Sequence, residues 1–377
     1  MKLILHIGQS KTGTTALQTY LRNNAVFLKQ YGVLYPDYYI AGKPINTLNH
    51  NSFATALCGL KSYPDFSADV YFDQFLQQLE ESGCHSLLLS AENFFGAPHI
   101  WGVPDGEGFY SAHEKKIKTL RRFAQNFEIH LIGYFKPPHN WFETVIPQII
   151  KYEGLGSAGA VYESDEQLFE LLKPVLEIHR LLKLWEDVLK PDVTTFVPYI
   201  REELLNGDIV ADFLRRAHID FDGLSSISLN YVLNEALDRR FIEVKKILNK
   251  RKRTHKDERV ITACLNRMNA QYLQKSRIEK YRIDTELMTR VQAFCAPVCD
   301  IMSQRYGRDD EPFFKTQGDD AEQNVLLDSE IQNLLNDFEA LYMSWPMRWE
   351  RVKITLKAKL MHKYPKLYAC LKNIVKP

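Results

Sequence analysis

The chain has 377 residues, a formal net charge of +1, 45% hydrophobic residues and 25% charged residues. These proportions are typical of a soluble globular protein. The near-neutral balance gives little support to a nucleic-acid-binding role, because such proteins carry a marked basic excess. The length predicts two domains, or one large α/β domain with additions, and a core of this size needs no disulfide or metal to fold.

The cysteines and the N-terminal residues indicate a reducing compartment. No two of the six cysteines form a CxxC pair, and Cys295 and Cys299 lack nearby His or carboxylate companions suited to zinc. We therefore expect reduced, mostly buried thiols. The apolar run at residues 3–7 is too short for a signal peptide, and no run approaches the ~20 apolar residues of a membrane helix. The sequence predicts a cytoplasmic protein.

Short apolar runs alternate with stretches of helical periodicity, a pattern that is typical of a parallel sheet with crossover helices. A helical region covers residues 164–189, and Pro174 is expected to kink or divide it. We therefore predict an α/β fold with a central parallel sheet and flanking helices. The predicted strands lie at residues 3–7, 33–35, 86–90, 129–135 and 194–198.

Beyond about residue 206 the strand signals fade and the chain reads as helix, the first one opened by Asn206-Gly207-Asp208. We predict an α/β domain over residues 1–307, an acidic linker over 308–325 and a helical, basic extension over 326–377.

The basic end of the chain, residues 346–377, holds nine bases against one acid. One interpretation is a helix lying on an anionic membrane surface. The other, which we favour, is a helix docked on the acidic residues 309–340 or on a second subunit. Pro346 and Pro365 interrupt any long amphipathic face, which argues against the membrane interpretation.

A glycine-containing loop joins the first predicted strand to a helix, in the order Gly8-Gln9-Ser10-Lys11-Thr12-Gly13-Thr14-Thr15. A strand–loop–helix of this kind directs backbone N–H groups and the positive end of a helix dipole at one point, which suits a phosphate. The glycine spacing is that of a Walker A loop, but the position after the second glycine is Thr14 and the lysine, Lys11, lies within the loop.

This variant, with Lys11 three residues after Gly8 and Gly13-Thr14-Thr15 at the helix start, resembles the 5′-phosphosulfate loop of the sulfotransferase family. The resemblance implies a fold of the P-loop nucleotide-binding type and 3′-phosphoadenosine-5′-phosphosulfate (PAPS) as the sulfuryl donor, with no metal. By the same resemblance, Lys11 matches the family lysine that neutralises the charge developing on the oxygen that leaves the sulfur. The residues implied to bind the 5′ end of the donor are Gly8, Ser10, Lys11, Thr12, Gly13, Thr14 and Thr15.

Two further segments match the same family. Its members hold the donor's 3′-phosphate with an Arg at a later strand end and a Ser eight residues on, where this chain has Lys136 and Thr144. Charge and hydroxyl are kept, but the bidentate arginine fork is lost. Ser90-Ala91-Glu92 resembles the SxE element of bacterial members, and Tyr199 follows a strand end that resembles the one approaching the adenosine.

Two residues are candidates for the general base that would accept a proton from an acceptor hydroxyl. His50 stands in the polar segment Asn49-His50-Asn51-Ser52, and Glu92 follows a strand end. Glu92 could alternatively orient Lys11. A third feature, the basic cluster of residues 245–253, could close over the 3′-phosphate or form a solvated helix end.

The resemblance implies a sulfotransferase that transfers a sulfuryl group to an acceptor hydroxyl, with a glycan as the favoured acceptor class. One alternative is a P-loop kinase or other NTPase, which requires a lysine after Gly13 and a magnesium-binding Asp at a strand end, and the sequence offers neither. A second alternative is a catalytically degenerate nucleotide-binding protein of the same fold. Lys136, Thr144 and Val197, the last of which stands where bacterial members have an Arg, favour this alternative.

Overall fold

The computed structural model describes residues 1–45, 47–61, 64–97, 106–152, 164–219, 237–250, 255–274, 277–307, 311–315 and 328–344. Seven strands are formed there: β1 (Lys2–His6), β2 (Val33–Leu34), β3 (Tyr39–Ile40), β4 (Lys43–Pro44), β5 (Ser86–Ser90), β6 (Glu128–Phe135) and β7 (Val193–Pro198).

Five of these strands form one parallel sheet in the order β2-β5-β1-β6-β7, and β3 and β4 form a separate antiparallel pair. In the register, Leu3 of β1 lies opposite Leu87 of β5 and Ile129 of β6, and all three side chains are fully buried. Burial on both faces explains why these strands are nearly continuous apolar runs. The predicted α/β class, with a central parallel sheet and flanking helices, is confirmed.

The predicted helical stretches that fall within the described residues are found, with bounds set by local signals. Asp208 caps α10 (Ile209–Arg216), since its carboxylate accepts hydrogen bonds from the Val210 and Ala211 amides at 2.6 and 3.1 Å. Pro174 lies in the last turn of α8 (Asp165–Leu176), and a new helix begins at Ile178.

The helices are α1 (Thr14–Asn23), α2 (Ala25–Gln30), α3 (Asn51–Ala56), α4 (Ala68–Ser82), α5 (Glu92–Gly96), α6 (Gly106–Phe123), α7 (Pro138–Tyr152), α8 (Asp165–Leu176), α9 (Ile178–Leu184), α10 (Ile209–Arg216), α11 (Arg239–Asn249), α12 (His255–Leu273), α13 (Thr285–Tyr306) and α14 (Asp328–Met343). One π-helical turn (Trp185–Leu189) and two 3₁₀ turns (Arg201–Glu203 and Leu205–Gly207) complete the set of described helical elements. None of the described helices combines the length and the apolar content that crossing a bilayer requires.

The chain divides into two compact units. The first comprises Met1–Pro138, Lys173–Leu233 and Phe294–Lys315 and contains the parallel sheet. The second comprises His139–Leu172, Asn234–Ala293 and Thr316–Pro377, and its described elements are helices.

The predicted domain boundaries fall mostly on residues that the structure does not describe. Of the predicted linker, only residues 311–315 are described, and Phe313 is buried there against the rings of Tyr306 and Phe314. Of the predicted extension, α14 is described, whereas the basic segment 346–377 lies outside the described residues. The predictions of a linker, a docked helix and a membrane-surface helix stay predictions.

Candidate functional site

The first unit brings most of the predicted site residues to one edge of the sheet. Because β1, β5, β6 and β7 run parallel, their carboxyl ends share that edge. The loop that starts at Gly8 follows β1, Glu92 follows β5, Lys136 follows β6 and Tyr199 follows β7. Open α/β sheets bind their ligands at this edge. We use the name edge site for the loop residues 8–15, which include Gln9, together with Glu92, Lys136 and Tyr199.

Two glycines allow the loop its close turns. A Cβ on Gly8 would lie 2.5 Å from Thr14 Cγ2 and 2.9 Å from the ring of His6, which is closer than real Cβ atoms come. Gly13 has a φ of +74°, and a Cβ there would lie 3.0 Å from the hydroxyl of Tyr199. The second turn therefore needs glycine for its backbone conformation as well as for space.

Lys11 adopts the left-handed backbone conformation, with a φ of +69°. This conformation costs a residue other than glycine about 1–2 kcal/mol, so the surrounding loop must hold it. Thr12 helps to keep the Lys11 backbone in this conformation, because the Thr12 hydroxyl is buried and donates to the Gln9 carbonyl oxygen at 2.6 Å. The Thr12 side chain thus closes the loop from within, while Lys11 is exposed.

The loop ends at the N-terminus of α1. Gly13 occupies the N-cap position, no side chain caps the helix, and the first turn contains no acidic residue. The first amides of a helix need acceptors, and the helix dipole makes this end favourable for negative charge. Thr14 is buried and Thr15 is exposed at this helix start, and Ser10 is partly exposed in the preceding turn. The geometry suits an anion.

A carboxylate contacts the same helix start. The Thr14 hydroxyl, at the start of α1, donates a hydrogen bond to Oε1 of Glu92, at the start of α5. Desolvation lowers the pKa of Lys11, and the nearby charge of Glu92 opposes that lowering. Lys11, Thr14 and Glu92 therefore form one electrostatic group, in which a candidate base and a candidate anion-binding cation lie close together.

Gln9 links the loop to the end of β6, a contact that nothing in the sequence indicates. Its side chain is fully buried, and its Oε1 accepts a hydrogen bond from the Lys136 backbone amide at 2.9 Å. The Lys136 ammonium lies 5.9 Å from the centre of the Tyr199 ring, within the range of a cation–π interaction. Since the Tyr199 hydroxyl approaches Gly13, the ends of β6 and β7 are both tied to the loop.

His50 lies in the polar segment 49–52, in a bend directly before α3, but its side chain points into the protein interior. It is fully buried before α3, and its ring contacts Tyr35, Tyr38 and Phe75 at centroid distances of 4.7 to 6.0 Å. Its Nδ1 accepts from the Ser90 amide at 3.0 Å, so its Nε2 donates to a backbone carbonyl oxygen at 3.2 Å.

Burial lowers the pKa of His50 to about 3. With both ring nitrogens bonded and the neutral form favoured, His50 serves as a structural support of β5. This geometry does not support a role as a general base.

A buried polar network, also missed from the sequence, lies beneath the loop. His6 Nδ1 is 2.8 Å from the Ser90 hydroxyl, which also accepts from Gln18 at 3.3 Å. Asn49 in turn donates to Gln18 at 3.1 Å. Burial lowers the pKa of His6 to about 3, so this histidine is neutral at physiological pH. The network joins β1, β5 and α1 directly below the edge site.

The remaining predicted residues lie in the second unit. Thr144 is exposed on α7, and its hydroxyl donates to the carbonyl oxygens of Asn140 and Trp141 at 2.6 and 3.0 Å. Its predicted phosphate contact stays a prediction. Lys245 is fully buried with Glu258 at 2.8 Å, which differs from both interpretations of the basic cluster.

The next lysine of that cluster is also engaged. Lys246 pairs with Asp165 at 3.2 Å and Glu243 at 3.4 Å, and lines a cavity of about 510 Å³ that carries both charge signs. Lys250 lines the same cavity, and residues 251–253 lie outside the described part of the chain.

Other observations limit the chemistry of the described residues. Among them, no group of three or more His, Cys, Asp or Glu side chains is placed to hold a metal ion. The five cysteines within the described ranges are free thiols.

Comparison with known proteins gave no match, since no protein-family model, no curated protein and no solved structure matches this chain.

Proposed function

We propose that the chain is a sulfotransferase of the P-loop nucleotide-binding type that takes its sulfuryl group from PAPS. The observation that carries the proposal is the position of Lys11, in mid-loop before an α1 N-terminus that no side chain caps. A Walker A lysine would follow Gly13, and that position holds Thr14. The cation is therefore carried by the loop itself, ahead of the helix, and in the proposed complex it would lie beside the leaving oxygen of the 5′-phosphosulfate.

The reaction is an in-line transfer in which positioning and charge stabilisation supply most of the catalysis. The oxygen of the acceptor hydroxyl attacks sulfur while the bond from sulfur to the 5′-phosphate oxygen breaks. The bonding electrons leave with adenosine 3′,5′-bisphosphate, and the Lys11 ammonium stabilises their charge. The hydroxyl proton passes to a base, and of the two candidates Glu92 is the one that lies at the edge site.

The adenosine side of the donor would lie across the ends of β6 and β7. Lys136 offers one positive charge to the 3′-phosphate, and Tyr199 offers an aromatic ring and a hydroxyl. Thr144 is the proposed hydroxyl partner of that phosphate. We propose a carbohydrate hydroxyl as the acceptor, a metal-free reaction and a cytoplasmic location. Segment 346–377 is the proposed self-association or membrane-surface element.

Nucleotide binding in the absence of magnesium tests the proposal. We expect the chain to bind adenosine 3′,5′-bisphosphate in EDTA, measured by calorimetry, and Lys11→Ala to weaken binding about 10- to 100-fold, the loss of one charge-assisted contact. Exposed Lys43→Ala, also in the first unit, is the matched control and should bind like the wild type. ATP binding that requires magnesium would favour a kinase or NTPase and refute the proposal.

Transfer of radiolabelled sulfate from PAPS to glycan acceptors then separates an enzyme from a degenerate binding protein. We expect product with the wild-type chain and none with Lys11→Ala. Tight bisphosphate binding without transfer to any acceptor class would favour the degenerate protein.

A further inference from the structure

Lys116 of α6 is fully buried, and the hydrogen-bond partners described for its ammonium are two backbone carbonyl oxygens and a histidine nitrogen rather than a carboxylate. Its ammonium donates to the carbonyl oxygens of Phe94 and Ala97, lies 3.2 Å from His113 Nδ1, and lies 5.6 Å from the ring of Trp185. Lysine is almost never fully buried without a paired charge. The position therefore needs an explanation other than packing.

Desolvation makes Lys116 expensive to bury as a cation, and burial lowers its pKa to about 8. An apolar side chain of similar length would fill the same volume without this penalty. What the amine adds is a pair of hydrogen bonds to the carbonyl oxygens at the end of α5. Helix ends leave such carbonyls without intrahelical partners, so Lys116 acts as the C-terminal anchor of that helix.

The helix that Lys116 anchors is α5, only five residues long and beginning at Glu92. A helix of this length is unstable alone and takes its position from outside contacts. Near its start, the Asn93 amide donates to Asn51 Oδ1 at 3.0 Å. At its end, Lys116 holds the last carbonyls. The Glu92 carboxylate is thus positioned by anchors at both ends of one short helix.

We propose that Lys116 is a positioning residue that, by fixing the end of α5, holds the Glu92 carboxylate on the Thr14 hydroxyl. The inference rests on the proposed function, since it takes the loop as an anion site. A threonine hydroxyl donates only one hydrogen bond, so Glu92 and a bound anion compete for Thr14. Lys116 thereby sets how strongly the Glu92 carboxylate competes with a bound anion for the Thr14 hydroxyl.

A double-mutant cycle on anion affinity tests this relation. Calorimetry would give the Kd for adenosine 3′,5′-bisphosphate of the wild type, Glu92→Gln, Lys116→Met and the double variant. We expect Glu92→Gln to bind about three- to tenfold more tightly, because a negative charge beside the anion is removed. We expect Lys116→Met to tighten binding about threefold in the wild-type background and to leave the Glu92→Gln variant unchanged.

Lys118→Met is the matched control. Lys118 lies on the same helix with an exposed side chain paired to Glu114, so its loss removes the same charge without touching α5. We expect it to change affinity equally in both backgrounds, and melting temperatures report folding. If Lys116→Met does not fold, Lys116→Gln keeps an amide donor for the carbonyls and should give the same non-additivity at smaller size.

Two results would overturn the inference while leaving the proposed function intact. They are a folded Lys116 variant with wild-type affinity, and an equal shift of affinity in both backgrounds. Absence of bisphosphate binding by the wild-type chain would overturn the proposed function and this inference with it.

Discussion

Replacing Lys11 by glycine should move stability and ligand affinity in opposite directions. At a φ of +69°, a lysine carries a backbone strain of about 1–2 kcal/mol that glycine does not. Glycine also makes the unfolded chain more flexible, which lowers the free energy of unfolding by about 0.5–1 kcal/mol and offsets part of the relieved strain. We therefore expect Lys11→Gly to stabilise the first unit by ~0.5–1 kcal/mol, a rise of roughly 1–2 °C in Tm.

The same variant loses the cation of the loop. A charge-assisted contact contributes about 1.5–3 kcal/mol, so bisphosphate binding should weaken about 10- to 100-fold. Lys11→Ala provides the comparison, since alanine removes the charge but keeps the strained backbone. Both variants should lose affinity to a similar extent, and only the glycine variant should melt at a higher temperature than the wild type.

Differential scanning fluorimetry and calorimetric titration measure the two quantities on the same samples. The reasoning is refuted if Lys11→Gly melts at or below the temperature of Lys11→Ala, because the loop would then not hold a strained residue. It is refuted equally if the glycine variant binds the bisphosphate as tightly as the wild type.

Three further predictions concern stability. Gly13→Ala should destabilise by about 1–3 kcal/mol, more than Gly59→Ala, because both glycines have positive φ but only the first would place a Cβ against Tyr199. His50 has a pKa of about 3 in the folded chain against an ordinary 6.5. Between these pH values the unfolded chain binds a proton at His50 and the folded chain does not, so the free energy of unfolding should fall as pH drops from 6.5 towards 3. Denaturant midpoints across that range should show a shallower fall for His50→Gln. Lys116 has a pKa of about 8 against an ordinary 10.5, so its burial costs about 3 kcal/mol at neutral pH. That penalty should disappear as pH rises from 8 to 10.5, a rise in stability that Lys116→Met should lack.

The sheet was predictable because its three central strands, β1, β5 and β6, are buried on both faces. The predicted residues 86–90 match β5 at both ends, β6 and β7 begin one residue earlier than predicted, and β1 is shifted by one residue towards the N-terminus. Such strands must be nearly continuous apolar runs, and that requirement is local in sequence. The loop was predictable for a similar reason, since positive φ at Gly13 and close approach at Gly8 both demand glycine.

The contacts that assemble the edge site were not predictable, because they join residues far apart in sequence. Nothing near Gln9 indicates that its side chain accepts the Lys136 amide, and nothing near Thr14 indicates Glu92. The burial of His50 was unpredictable for the same reason. Its neighbours in sequence are polar, whereas aromatic side chains from other segments enclose its ring.

Under the proposed function, the electrostatics of the edge site would make ligand binding an exchange of hydrogen-bond partners. The start of α1 favours negative charge, and Glu92 supplies one through Thr14. A donor phosphate that binds there must take the Thr14 hydroxyl from Glu92, and the released carboxylate then lies beside Lys11, whose charge it favours. A carboxylate freed only when the donor is bound would be available as a base only when there is a sulfuryl group to transfer. The anchor at Lys116 would then serve catalysis by keeping that carboxylate near the reacting atoms after the exchange.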